Sequence, residues 1–166
     1  FYTVHHIFVK TNLFLAAGAI ASTGRTEDLT KLGGLLKATP LLAILFLIPA
    51  LSLGGIPPLS GFFAKFLLIR EAMREEAWIV TAIALLVGVV TLFSMTKIWS
   101  EAFWKDSPRN GGPLSLRRRS LLLLPVAFLG LLTLLIGLFP VSLISLADEA
   151  ARQLLVTNPA TLSPAP

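Results

Sequence analysis

Long apolar runs alternate with short charged segments along this chain. The runs cover about residues 1–21, 40–70, 78–100 and 120–139, and each is long enough to be read as a membrane span. The second run, LLAILFLIPALSLGGIPPLSGFFAKFLLIR from Leu41 to Arg70, departs from a plain span. It is apolar from Leu41 to Ile69 with one charge inside, Lys65, and Gly54-Gly55-Ile56-Pro57-Pro58 sits in its middle. Twenty-nine helical residues extend roughly 43 Å at about 1.5 Å each, against a hydrocarbon core of about 30 Å. Neither Pro57 nor Pro58 can donate an amide hydrogen, and Gly54 and Gly55 favour the unfolded backbone. These four residues predict a break in the helix. Unpaired backbone is tolerated at membrane depth only inside protein or beside a wet cavity, and a lysine near mid-membrane costs about 2.5–3.5 kcal/mol on insertion scales. A broken span carrying Lys65 therefore reads as an ion or proton site. The alternative is that Lys65 snorkels to an interface, since only four apolar residues separate it from Arg70.

The first run, FYTVHHIFVKTNLFLAAGAIA, holds His5, His6, Lys10 and Asn12 within apolar sequence. His6 and Lys10 are four apart and share a helix face. In a membrane, such a stripe turns toward protein or water; an interfacial position for this end is the alternative. Ser22 to Thr39 is a polar connector, with a short surface helix expected over Thr26 to Leu36, capped by Thr26 and interrupted at Gly33-Gly34. Pro40 opens the broken span at a first-turn position. Trp78 at one end of the third run, with Trp99 and Trp104 at the other, suggests aromatic belts. Lys97 and Glu101, four apart, suggest a boundary ion pair. Lys105 to Arg119 is a basic loop rich in turn residues. The fourth run has no ionisable group and reads as packing. Val141 to Val156 reads as an amphipathic helix with Asp148, Glu149 and Arg152 on its polar side. The tail, residues 157–166, is Pro-rich and expected to be disordered.

Composition agrees with a membrane protein: 55% hydrophobic, 14% charged, mean hydropathy +0.81 and formal net charge +5. The expected fold is all-α, a polytopic bundle of four spans with one discontinuous helix and a short amphipathic helix at the end. Of the fourteen Lys and Arg, nine fall in or beside the connector and the basic loop, three on the opposite side, and two, Lys10 and Lys65, inside the membrane. The positive-inside rule then puts loops 22–39 and 101–119 in the cytoplasm of a multi-pass protein of the inner (plasma) membrane. The absence of an initiator Met and of a basic segment before the first run suggests the carboxyl-terminal part of a longer protein, with residues 1–156 belonging to one membrane domain. No cysteine is present, which excludes a disulfide, a thiolate metal site and a cysteine nucleophile. His5 and His6 alone do not make a metal site. The sequence shows no phosphate-binding loop, metalloprotease motif or nucleophile elbow, no ligand set for a cofactor and no nucleic-acid surface. A transporter component is expected rather than an enzyme.

The segments HHIFVKTNLFLAAG, TKLGGL, IPALSLGGIPPLSGFFAK and TLFSMTKIWSEAFW carry a family resemblance. The chain resembles the antiporter-like membrane subunits shared by respiratory complex I and Mrp-type multisubunit Na+/H+ antiporters, strongly over about residues 1–105. The resemblance implies a bundle of fourteen helices in two inverted repeats, each with one broken helix, of which this chain would hold the last four helices. It places Lys65 on the family's ionisable position in the second broken helix, and His6 and Lys10 on the relay position of the preceding helix. Lys rather than Glu in the broken helix, with the Gly-Gly-Ile-Pro-Pro run, favours the Mrp branch. The implied function is proton relay through Lys65, Lys10, His6 and His5, coupled to exchange of Na+ or another monovalent cation, with Ser52, Ser60 and backbone carbonyls as possible cation contacts. The implied partners are H+, Na+, other membrane subunits and the lipid bilayer. A proton-pumping membrane subunit of NADH:quinone oxidoreductase or of a membrane hydrogenase is the alternative.

Overall fold

The computed structural model describes residues 1–106 and 116–157. Among these, all regular structure is helical. The elements are α1 (Tyr2–Gly24), α2 (Leu35–Ala38), α3 (Pro40–Gly54), α4 (Ser60–Arg74), α5 (Trp78–Trp99), α6 (Leu116–Leu138) and α7 (Pro140–Thr157), with a 3₁₀ turn at Leu29–Lys31 and a π-helical turn at Ser100–Trp104. By length and composition, Tyr2–Gly24, Trp78–Trp104 and Arg119–Leu138 could each cross a membrane, while Pro40–Gly54 is a shorter apolar helix. The tail 158–166 and the part of the basic loop around Arg109 lie outside the described residues.

Helix α3 is the centre of the bundle. It packs against α1, α5 and α6, and Leu42, Phe46 and Ala50 on it join Ala16 and Ile20 of α1, Val126 of α6 and Phe103 of the π turn in one buried core. Asn12 is fully buried on α1. In the amide orientation that satisfies both groups, it donates to the Val126 carbonyl and accepts from the Gly130 N–H of α6, each at 3.1 Å. A buried amide without such partners would be costly, so this residue fixes α1 against one rung of α6. The outer face of α5 is bare: Ile79, Leu86, Val89 and Phe93 are all exposed.

The connector differs from the single surface helix expected. Thr26 does not cap a helix; its hydroxyl accepts from the Asp28 N–H at 3.2 Å. Asp28 caps the 3₁₀ turn, accepting from the Thr30 N–H, and α2 starts only after Gly34, which has positive φ. The Gly-Gly pair divides the segment because it turns the chain where a helix would need to continue. The ion pair expected between Lys97 and Glu101 also differs. The π turn inserts an extra residue, and Glu101 meets Lys105 at 3.1 Å instead. Lys105 Nζ also donates to the Thr30 carbonyl at 2.7 Å, and the Lys105 carbonyl accepts from the Gly34 N–H. The connector and the end of α5 are thereby tied together.

Candidate functional site: the interrupted helix

Helix α3 ends where its backbone chemistry requires. Gly55 adopts the left-handed conformation (φ 90°). Its N–H donates to the Ser52 carbonyl at 3.0 Å, and the Ile56 N–H donates to the Leu51 carbonyl at 3.1 Å. This is the pattern of a Schellman C-cap, and a side chain at Gly55 would strain it. Pro57 and Pro58 follow, joined by a cis peptide bond, and α4 begins at Ser60.

The cap leaves the Gly54 carbonyl without an intrahelical partner, at the negative end of the α3 dipole. Lys65, one turn and more into α4, reaches back across the break and donates from Nζ to that carbonyl at 3.1 Å. Lys65 is half-buried. It borders a cavity of about 480 Å³ between α4 and α5, with Gly54, Phe66, Gly88 and Leu92 among its walls.

A second set of contacts ties the two halves together from the other side. Ser52 near the end of α3 and Ser60 at the start of α4 are both buried, with their hydroxyls 3.1 Å apart. The Gly61 N–H donates to Ser52 Oγ at 3.1 Å, and Ser60 Oγ lies 2.8 Å from Nδ1 of His5 on α1. A hydroxyl both donates and accepts, so the His5–Ser60–Ser52 chain can run in either direction with the imidazole tautomer. Gly61 is a close-approach position: a Cβ there would stand 1.7 Å from the Ser52 carbonyl oxygen and 3.0 Å from the His5 ring. On the far side, a Cβ at Gly137 of α6 would come within 2.6 Å of the Pro58 carbonyl. The break is thus flanked by α1, α5 and α6, with Leu59 and Ser60 buried, Gly54 to Ile56 partly buried, and Pro57 and Pro58 exposed.

The structure brings Lys65, Gly54, Gly55, Ser52, Ser60 and His5 into one neighbourhood. It leaves His6 half-buried beside Tyr2, with ring centroids 5.6 Å apart. Lys10 is exposed on α1, at a separate, largely apolar cavity of about 510 Å³ that Phe14, Gly18, Phe46 and Met95 also border. The adjacent residue, His5, is the one that reaches the break. Gly61, Gly88 and Gly137 were not singled out by the sequence, because a glycine's packing role becomes visible only when its neighbour is known. Among the described residues, no group of three or more His, Asp or Glu is placed to hold a metal.

Comparison with known proteins bears on the same region. Residues 1–94 match the family model described as NADH:quinone oxidoreductase/Mrp antiporter, transmembrane. The chain is 46% identical over 155 residues to the D subunit of the Na(+)/H(+) antiporter of Alkalihalophilus pseudofirmus, covering 93% of this chain and 31% of that protein. It is 25% identical over 156 residues to the N subunit of the NADH-quinone oxidoreductase of Desulforamulus reducens, covering 94% of this chain and 32% of that protein. Its fold matches a chain in the structure of the Mrp complex from Dietzia sp. DQ12-45-1b with a TM-score of 0.81 and 31% identity, covering 89% of this chain and 35% of that one. The chain spans about a third of the length of these relatives. With more than half of its residues matched by the family model, and with the interrupted helix inside the matched region, this chain belongs to the NADH:quinone oxidoreductase/Mrp antiporter membrane family.

Proposed function

We propose that this chain forms part of a membrane subunit of a multisubunit Na+/H+ antiporter in the inner (plasma) membrane, and that protons pass through its interrupted helix. The observation that carries the reading is the Lys65–Gly54 contact: an amine resting on a helix-terminal carbonyl inside a break. An amine held by a carbonyl, and paired with no carboxylate among the described residues, can load and release a proton without breaking an ion pair. His5 exchanges protons with the break through Ser60, and His6 and Lys10 extend the route along α1. A protonated Lys65 and a bound cation repel each other across the same carbonyl end, which couples proton release to cation entry. The oxygens of Ser52 and Ser60 and the carbonyls of the break are the cation contacts in this scheme. A cation there displaces the hydrogen bonds they now make. In this scheme segments 22–39 and 101–119, the second running from the π turn to the start of α6, lie on the cytoplasmic side because of their basic residues.

The second reading is a proton-pumping component of NADH:quinone oxidoreductase, supported by the relatives in that enzyme. The greater identity to the antiporter relative favours the first. The test is dye-reported proton flux in vesicles containing the assembled complex. Flux driven by a sodium gradient supports antiport; flux driven only by quinone reduction supports the alternative and overturns the first reading.

A further inference from the structure

Helix α5 contains a single glycine, Gly88, between Val87 and Val89. Glycine is a poor helix former and needs a packing reason in a helix interior. Here the atom that presses most closely on α5 is a side-chain amine and not a helix backbone. Apart from its chain neighbours and the nearby backbone of α5 itself, an ideal Cβ at Gly88 would have two heavy atoms within 4 Å among the described residues: Lys65 Nζ at 3.3 Å and the Gly54 carbonyl oxygen at 3.9 Å. These are the two partners of the 3.1 Å contact across the break. We propose that Gly88 is a positioning residue for Lys65, forming a notch in α5 that admits the amine to the Gly54 carbonyl.

The geometry separates this role from folding. A methyl group at position 88 meets the far end of a flexible side chain at 3.3 Å, which gives by roughly a few tenths of an ångström without moving a helix. What gives way is the amine, at its contact with the carbonyl acceptor at the break. At Gly55 the outcome differs. A Cβ there would lie 2.9 Å from Lys65 Cδ on backbone already at φ 90°, so substitution would disturb the cap as well as the lysine. Position 88 therefore isolates amine placement from the integrity of the break. Alanine is also the better helix former, so Gly88→Ala does not weaken α5 itself.

This inference rests on the reading of Lys65 as a proton carrier, and its test has one arm independent of that reading. The complex carrying Gly88→Ala is assembled and its structure determined by electron cryo-microscopy. Lys65 Nζ is expected to shift away from position 88, by roughly a few tenths of an ångström, changing its 3.1 Å contact with the Gly54 carbonyl while α3, α4 and α5 keep their positions; an amine in its wild-type position overturns the notch. In the second arm, sodium-driven proton flux is measured in vesicles at matched complex content. Maximal flux is expected to fall, by less than the roughly 100-fold that a misplacement of about 1 Å costs, with assembly and thermal stability as in wild type. Unchanged flux overturns the positioning role even if the amine has moved. Gly88→Val should deepen the loss; if it prevents assembly, the alanine variant still decides. Full flux from Lys65→Ala, by contrast, rejects the carrier reading, while the distance measured in Gly88→Ala reports on the notch alone.

Discussion

Nδ1 of His5 lies 2.8 Å from the hydroxyl oxygen of Ser60, joining the first helix of this chain to the first residue of the helix beyond the break. Both residues are buried, and the contact spans 55 positions in sequence. Through Ser52 and the Gly61 N–H it extends into both halves of the interrupted helix. Lys65 holds the same break from the α5 side. The histidine and the lysine thus act on one discontinuity from different faces, and each can be tested separately.

Removing the Ser60 hydroxyl should uncouple His5 from the break. Ser60→Ala leaves the buried imidazole without its partner, a loss of about 1–3 kcal/mol, and should lower both proton flux and the thermal stability of the complex. Ser60→Thr keeps the hydroxyl and should retain more flux than Ser60→Ala. Equal flux from the two variants in the vesicle assay would show that the hydroxyl takes no part.

Lys65→Ala should insert and assemble at least as well as wild type, because it removes an amine from a site of low polarity. Its proton flux should fall by roughly 10²-fold or more, the scale of losing a proton-transfer group. Lys65→Arg keeps a charge that is never released at accessible pH. It should also fail if proton release is the function, and should work if a fixed charge is enough. Normal flux from Lys65→Ala in matched vesicles would reject Lys65 as a carrier.

Gly61→Ala should be the most damaging single methyl in the break. Its Cβ would stand 1.7 Å from a backbone oxygen of Ser52, and that oxygen is not the end of a flexible side chain. Overpacking of this kind costs about 1–3 kcal/mol or more. The expected result is a lower thermal transition and poor assembly, read by detergent gel and melting curve. A Gly61→Ala complex as stable as wild type would mean that the halves can separate freely.

A reporter fused after Arg119 should report the cytoplasm, and one fused after Arg152 the outside, if the basic segments obey the positive-inside rule. Phosphatase and fluorescent-protein fusions give opposite signals on the two sides. The reverse pattern would place the break and Lys65 in a membrane of inverted orientation.

Backbone chemistry made much of this molecule legible before any fold was known. Apolar runs too long and too poor in charge for a soluble core pointed to a helical membrane bundle. The Gly54-Gly55 and Pro57-Pro58 pairs opposed a continuous helix through local conformation and missing donors, effects that act within a few residues. Which side chains meet at the break was not legible. Successive residues on a helix point about 100° apart, so the choice between His5 and the adjoining His6 depends on how α1 is rotated against α4. Only packing sets that rotation, here with Asn12 held by α6. Glu101 pairs with Lys105 rather than Lys97 because a π turn changes the register there. Gly88, Gly61 and Gly137 have roles defined by what stands opposite them, and a glycine carries no mark of its neighbour. The position of the break, and the lysine just beyond it, could be read from the chain because both depend on nearest-neighbour chemistry. That Lys65 turns back to Gly54, and that His5, Ser60 and Ser52 form one chain, emerged only in the folded bundle, since these contacts exist once separate helices are brought together.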